Sequence, residues 1–404
     1  MKSKTRFSFA ALAAFAMLAA GQPVRGAVIY VDRQAAGANS GISWADAYTN
    51  LSTALAAAGS GASLWVARGT YTPGPFQLAA NVAVYGGFTN GMASLASRDW
   101  TAYPAILRGG GPVVNGATGA RLDGFTVTGG SGVSGGGIFM SGGSLVVANC
   151  NVVSNTATWG GGFYFTGTQA TLERTRVVAN TSQSGGGGGL YAQLNNVASA
   201  GVIRNCVFTG NRSEGALAIK PDGGGIYLLE CPYRIENCTI YNNFAVRRGG
   251  GVKMYRGTVE NYVIKNCILW NNSTGNVLPE EHDGGWEICI QQDSASIPLY
   301  LVMSYTDWTP VGNSQFYAYY RDGVNKEVFT ELMELDPKFT DAAAGDVHLQ
   351  PDSPCIDAGD PASPFALEPL PNGGRVDMGA YGNSGESTPS GPPEPETGLL
   401  LYFR

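Results

Sequence analysis

The side chains of this protein that could do chemistry are few, and their spacing limits what they could do. Only two histidines occur, His282 and His348, and the seven cysteines include no Cys-x-x-Cys pair. A zinc or iron–sulfur site needs such donors at close spacing, so the sequence assigns no metal ligands. Catalysis by carboxylates needs two or three of them facing one another, about 5–9.5 Å apart. In a repeating chain they would recur at one phase, and Asp222, Glu230, Asp283 and Glu287 do not. His282 lies between acids in the loop 279–283, which reads as a solvated surface loop. The residues themselves therefore name no catalytic set.

What does recur is structural. Cys150, Thr175, Cys206, Cys238 and Cys267 each stand five residues before Asn155, Asn180, Asn211, Asn243 and Asn272, and Phe125 and Gly130 hold the same places in an earlier copy. Glycine-rich runs end at Gly137, Gly162, Gly189, Gly225 and Gly251, at intervals of 25, 27, 36 and 26 residues. Self-similarity at this period marks a solenoid. The segments within a repeat are short, alternate apolar with polar residues and are rich in Val, Ile, Phe and Tyr, which specifies strands. About 25 residues accommodates roughly three short strands and three turns. The predicted fold is all-β, a right-handed parallel β-helix.

Strand alternation turns Ile235, Cys238 and Ile240 inward and Thr239 and Tyr241 outward. The recurring cysteine then reads as a small apolar core residue. A disulfide among Cys206, Cys238 and Cys267 is the alternative, since successive coils lie about 4.8 Å apart. Asparagine tolerates the left-handed corner conformation, and stacked asparagines can bond from coil to coil. Two ladders are expected, one of Asn149, Asn205, Asn237 and Asn266, the other running from Asn155 to Asn272. Glu173, Arg204, Glu236 and Lys265 share one outward phase with alternating sign and read as a surface ion-pair ladder.

The outward phase of the strand after each glycine run is the most suggestive feature. Phe139, Tyr164, Tyr191 and Tyr227 occupy it in four consecutive coils, followed by Lys253 and preceded by Val113. Trp159 and Arg248 lie just before the same glycines and border the row, and the insertion 213–222 hangs at its edge. Partly exposed rings stacked on one another would stabilise the sheet. They would also make a platform for sugar rings, whose C–H faces pack on aromatics while hydroxyls bond the border. Both readings stand at this level.

Composition agrees with one long core: 44% of residues are hydrophobic, 14% are charged and 58 are glycine. A solenoid grows in one dimension, so 404 residues need not mean several domains. The net charge of −6 leaves no basic stripe for phosphates, which argues against nucleic acid as a partner. Lys2, Lys4 and Arg6 precede an apolar run at 7–20, giving an expected signal peptide at 1–26, export to the extracellular space or outer cell surface, and no transmembrane span in the mature protein. The β-helix domain is placed at 28–382, with regular coils over about 60–310. Trp44, Tyr48, Leu51, Leu55 and Ala58 recur at helical spacing behind Ser43, predicting a capping helix over 44–58. Residues 311–382 form an irregular closing segment. The tail 383–404, rich in Ser, Gly, Pro and Glu before its apolar end, is expected to be disordered.

The stretch from Val28 to Ala58, followed by Leu64-Trp65-Val66-Ala67-Arg68-Gly69-Thr70-Tyr71, resembles the N-terminal region of secreted bacterial right-handed β-helix proteins of the pectate-lyase-like superfamily. The Gly-Gly runs with Phe208-x-x-Asn211 are similar to the repeat of polymorphic outer-membrane proteins, although other copies carry Val, Ile or Leu in place of phenylalanine. Residues 335–361 and Asp377-Met378-Gly379-Ala380-Tyr381-Gly382 resemble the closing segment of large environmental families of this kind. Pro393-Glu394-Pro395 with the leucines after Gly398 resembles the start of a PEP-CTERM sorting signal. The resemblance implies the fold over about 28–382 and leaves function open, because this scaffold carries adhesins, passive surface proteins, lyases and hydrolases alike. The regular ladders, low charge and missing catalytic set favour a structural or adhesive surface protein, and the aromatic row one that binds a polysaccharide or cell-surface glycan, with no cofactor expected. The alternative is a polysaccharide lyase or glycoside hydrolase, and Ca²⁺ enters only if the protein is a lyase.

Overall fold

The computed structural model describes residues 26–193, 201–216, 221–256, 261–275, 286–292, 299–309, 316–320 and 327–390. The expected signal peptide, the loop 279–283 with His282, residues 217–220 of the insertion 213–222 and the tail that resembles a sorting signal lie wholly or partly outside them. Within the described residues the protein is a parallel β-helix. Strands pair only in parallel along the solenoid, from Val28–Val31 at one end to Glu327–Met333 at the other, beyond the expected span at both ends.

Each regular coil carries four short strands, one more than the repeat length implied. In one coil these are Ser144–Ala148, Asn151–Val153, Thr156–Trp159 and Phe163–Thr166. The first two belong to one 19-stranded sheet, bent at a single residue in the left-handed conformation. That corner residue is Asn149, Asn205, Asn237 or Asn266 in different coils, with φ between 48° and 53°. Asparagine stands here because it tolerates this region better than other residues that carry a Cβ. The other two strands stack into separate six- and nine-stranded sheets.

Glycine is required where coils approach most closely. A Cβ added to Gly162 would lie 2.5 Å from the Gly189 carbonyl oxygen of the next coil, and one on Gly189 would meet Gly225 in the same way. The core lies inside the coils. Phe163, Phe165, Leu190, Ile226, Leu228, Ile235 and Ile240 are all buried, as alternation requires. Cys150, Cys206, Cys238 and Cys267 are buried in the same column, and all seven cysteines are free thiols. Burial holds the Cys238 thiol well above its usual range, with Cys206 and Cys267 beside it adding to the shift.

The predicted helix is shorter than its pattern. It runs Leu51–Ala57, capped by Asn50, whose side chain accepts from Thr53 N. Residues 44–50 are not helical because their hydrogen bonds go elsewhere. Tyr48 N donates to Tyr30 O and Asp32 N to Tyr48 O, both at 2.9 Å, which ties Tyr48 to the first strand. Trp44 packs instead with Tyr30, Trp65 and Phe88 outside the solenoid core, and Ser43 caps a turn by accepting from Asp46 N. Leu51, Ala54 and Leu55 of the short helix close the N-terminal end of the core.

One of the two expected asparagine ladders forms in full, and of the other only the Asn266 Nδ2 to Asn237 Oδ1 link, at 3.4 Å, is made. Asn155, Asn180, Asn211, Asn243 and Asn272 are each buried and linked Nδ2 to Oδ1 at 2.9–3.0 Å. Asn149, Asn205, Asn237 and Asn266 instead point out of the coil. Asn205 Nδ2 donates to the carbonyls of Ala380 and Gly382, and Asn237 Nδ2 to that of Asp377. The ion-pair row is also partial: Arg204 pairs with Glu173, but Glu236 pairs with Arg234 on its own strand and Lys265 with Asp360.

These partners reveal the largest departure from the expected architecture. The segment 336–390 runs back along the side of the solenoid. It covers the outer face of the strands Val207–Thr209, Thr239–Tyr241 and Ile268–Trp270. Val207 packs with Val347 and Ala380, and Ile268 with Leu349, Cys355 and Met378. Thr239, expected outside, is buried because Ala380 N donates to its Oγ1 at 3.0 Å. Residues 384–390, expected to be disordered, are packed turns: Thr388 Oγ1 donates to Leu349 O, and Ser390 N to Pro371 O.

Candidate functional site

The aromatic row exists in register. Asn115, Phe139, Tyr164, Tyr191, Tyr227 and Lys253 stand side by side on consecutive strands of the nine-stranded sheet. Val113, counted as its first member from the sequence, is buried in the core, and Asn115 takes the place. Phe139 and Tyr164 stack at 5.9 Å, Tyr164 and Tyr191 at 5.1 Å, and Tyr191 meets Tyr227 edge-on at 5.0 Å.

The expected exposure holds for only part of the row. Phe139 and Tyr164 are half-buried and Trp159 is exposed, but Tyr191, Tyr227 and Lys253 are buried, with 4%, 8% and 0% of their surface exposed. Trp159 lies edge-on over Tyr191 at 5.3 Å. Gly186 passes so close to Tyr227 that a Cβ there would lie 2.6 Å from the ring. Asp222 and Arg247 form a two-pronged ion pair at 2.8 and 3.0 Å above it, and Asp222 is itself buried. Lys253 Nζ donates to Gln291 Oε1 at 2.9 Å and lies 3.2 Å from Cys289 Sγ, while Arg248 Nη1 reaches Gln291 at 3.4 Å. Burial pushes the Tyr227 hydroxyl well above its usual range, with Asp222 adding to the shift. Half the row is therefore interior packing, and its accessible aromatic part is Phe139 and Tyr164 with the bordering Trp159, flanked by the half-buried Asn115 and Arg248.

A second place is more open. Between the bent sheet and the returning segment lies a groove of 570 Å³. Trp100 and Thr101 form one rim, Tyr381 and Glu386 the other, and Asn149, Arg174 and Arg176 line it between them. Arg176 Nη1 donates to the Tyr381 hydroxyl at 3.1 Å and its Nη2 to Gly345 O at 2.8 Å, so the guanidinium fixes the far rim. Tyr381 stacks face to face on His348 with ring centres 3.7 Å apart. His348 lies between Asp346, 2.5 Å from Nδ1, and Glu386, 3.9 Å from Nε2. The two carboxylates raise the imidazole pKa, Glu386 most, against a smaller opposing effect of burial. Arg174 Nε donates to Asn149 Oδ1 at 2.8 Å and leaves half of its side chain in solvent. The groove thus offers aromatic faces, amide and guanidinium donors, and a charged His–acid cluster behind one rim.

The returning segment also brings together three carboxylates. Asp357, Glu368 and Asp377 each place an oxygen so that all three lie within 4.8 Å of one another. No reading of repeat phase could find them or the groove's far rim, because none of these residues belongs to a repeat. The signal present in the sequence is the clustering of acids in the closing segment, which histidine and cysteine spacing does not reveal.

Fold and site together define a parallel β-helix with a folded-back C-terminal segment. No family model and no curated protein sequence matches it. Among solved structures, it is similar to one described as the crystal structure of pectate lyase Pel9A. The match has 14% identity and a TM-score of 0.38, and covers 88% of this protein and 96% of that one.

Proposed function

We propose that this protein is an exported, surface-associated β-helix that binds a polysaccharide in the groove between Trp100 and Tyr381. The observation that carries this reading is the composition of the groove. Its 570 Å³ suits a few sugar rings, and an indole with 38% of its surface exposed stands at the rim. Sugar C–H faces pack on such rings, while the half-exposed Arg174 guanidinium supplies donors to hydroxyls or carboxylates. The exposed part of the aromatic row, Phe139, Tyr164 and Trp159, supports a second, shallower contact on the neighbouring sheet.

Affinity electrophoresis of the purified protein against polyuronates and neutral glycans tests the assignment. Retention by one glycan class is expected, weakened about tenfold by Trp100→Ala or Arg174→Ala. Phe139→Ala should weaken it less. Absence of retention by every glycan would leave the structural or adhesive role in its place. Accumulation of unsaturated uronate product in the same samples would establish the lyase alternative.

A further inference from the structure

The three carboxylates of the returning segment are a poor arrangement for a folded protein unless something positive joins them. Asp377 and Glu368 are buried, with 2% and 6% of their surface exposed, and Asp357 is half-buried beside them. None of the three forms an ion pair with a described residue. The basic side chain close by in sequence, Arg375, donates to the carbonyls of Gly359 and Ala358 instead. Their hydrogen bonds are few and come from backbone amides. Asp357 N donates to Asp377 Oδ1 at 2.9 Å, and Glu368 Oε1 accepts from Asp377 N and Asn383 N. Two oxygens remain over: Asp377 Oδ2 and Asp357 Oδ1 are buried without a hydrogen-bond partner of normal geometry, the backbone amide of Thr388 acting on the Asp377 carboxylate only weakly. A buried, unpaired carboxylate oxygen costs several kcal/mol, and like charges in one site add to that cost.

From this geometry we infer that Asp357, Glu368 and Asp377 bind a hard divalent cation, Ca²⁺, that fastens the returning segment to itself. The donor set is all oxygen, with neither imidazole nor thiolate, which selects against zinc. The loop between Glu368 and Asp377 is irregular, and an irregular shell of carboxylates and carbonyls suits Ca²⁺ better than the strict octahedron of Mg²⁺. The loop backbone is fitted closely around the site. Gly373 has φ of 54°, and a Cβ there would lie 2.0 Å from Asp357 Oδ2, so only glycine fits. The cation would also hold the segment to the solenoid. Asp377 O accepts from Asn237 Nδ2, Gly379 N donates to Asn266 O, and Ala380 N donates to Thr239 Oγ1. This inference does not depend on what the groove binds.

Calorimetric titration of the chelator-stripped, full-length protein with CaCl₂ tests it, together with thermal unfolding and trypsin digestion. One site is expected, with Kd at or below about 1 mM. A rise in melting temperature of about 5 °C at a hundred times Kd should accompany it, as should protection of the returning segment from trypsin. Asp377→Asn and Asp357→Asn keep the side-chain shape and should each weaken binding at least tenfold with an unchanged circular dichroism spectrum. Asp352→Asn, at an exposed acid paired with Lys338, should bind as the parent does. Absence of heat and of any thermal shift in the folded parent protein at about 5 mM Ca²⁺ would overturn the inference. So would binding that survives both site substitutions, or binding of Zn²⁺ in preference to Ca²⁺.

Discussion

Asn272 donates through Nδ2 to Glu287 Oε2, so the internal asparagine ladder ends on a buried carboxylate. Glu287 Oε1 also accepts from Thr309 Oγ1 and Asn272 N. Burial pushes its pKa from 4.5 up to about 7; Asp307 adds to the shift, and the donors from Thr309 and Asn272 oppose it. Burial likewise moves Asp307 up to about 6. A carboxyl whose folded pKa exceeds its unfolded value holds more protons in the native state. Its contribution is therefore present below pH 4.5 and is lost as pH rises through about 7. Melting temperature should fall between about pH 5 and pH 8, and Glu287→Gln should flatten that slope. Scanning calorimetry across the range checks this, and an unchanged slope in the variant would refute it.

The interior of the ladder should be less tolerant than its ends. Asn211 Oδ1 accepts from both N and Nδ2 of Asn180, while its own Nδ2 donates to Val177 O and Asn243 Oδ1. Asn211→Ala strands these buried groups at about 1–3 kcal/mol each, so the total loss should reach about 3 kcal/mol or more. Urea denaturation measures it. A loss below about 1 kcal/mol would mean that water or a neighbouring group replaces the amide.

The thiols make a separate prediction. All seven are buried and unpaired, and the folded protein should not react with a thiol reagent until it is unfolded. Cys206→Ala and Cys238→Ala should each cost on the order of 1 kcal/mol with no change in oligomeric state. A mass increase of two hydrogens on reduction, mapped to this pair, would contradict the free thiols.

Within the aromatic row, energetic cost should follow cover. Tyr227→Ala removes a ring enclosed by Gly186, Asp222 and Tyr191 and should cost about 3 kcal/mol. Phe139→Ala, at the half-exposed end, should cost about 1 kcal/mol. Equal losses in chemical denaturation would show that the two rings are covered alike.

Much of this protein was legible in its sequence because its regularities are local. The two-residue alternation of a strand places Ile235, Cys238 and Ile240 in the core, and the coil period brings Asn211 onto Asn243. Neither depends on distant parts of the sequence. The stacking of Phe139, Tyr164, Tyr191 and Tyr227 follows from the same two periods.

Periodicity fixes which way a side chain points but not what lies on top of it. Tyr191 and Tyr227 do leave the coil on its outer face, but neighbouring loops then cover them. The helical spacing at 44–50 was real in the sequence, yet Tyr48 found better backbone partners in Tyr30 and Asp32. Thr239 and the corner asparagines Asn205 and Asn237 point outward and are then met by a segment more than a hundred residues away. The groove and the carboxylate cluster arise the same way. Arg176 meets Tyr381 across 205 positions, and Asp357, Glu368 and Asp377 meet only once loops of no repeating pattern have closed. Repetition in the sequence determined the solenoid. Contacts between non-repeating segments, which leave no period in the sequence, decided which of its surfaces remained open.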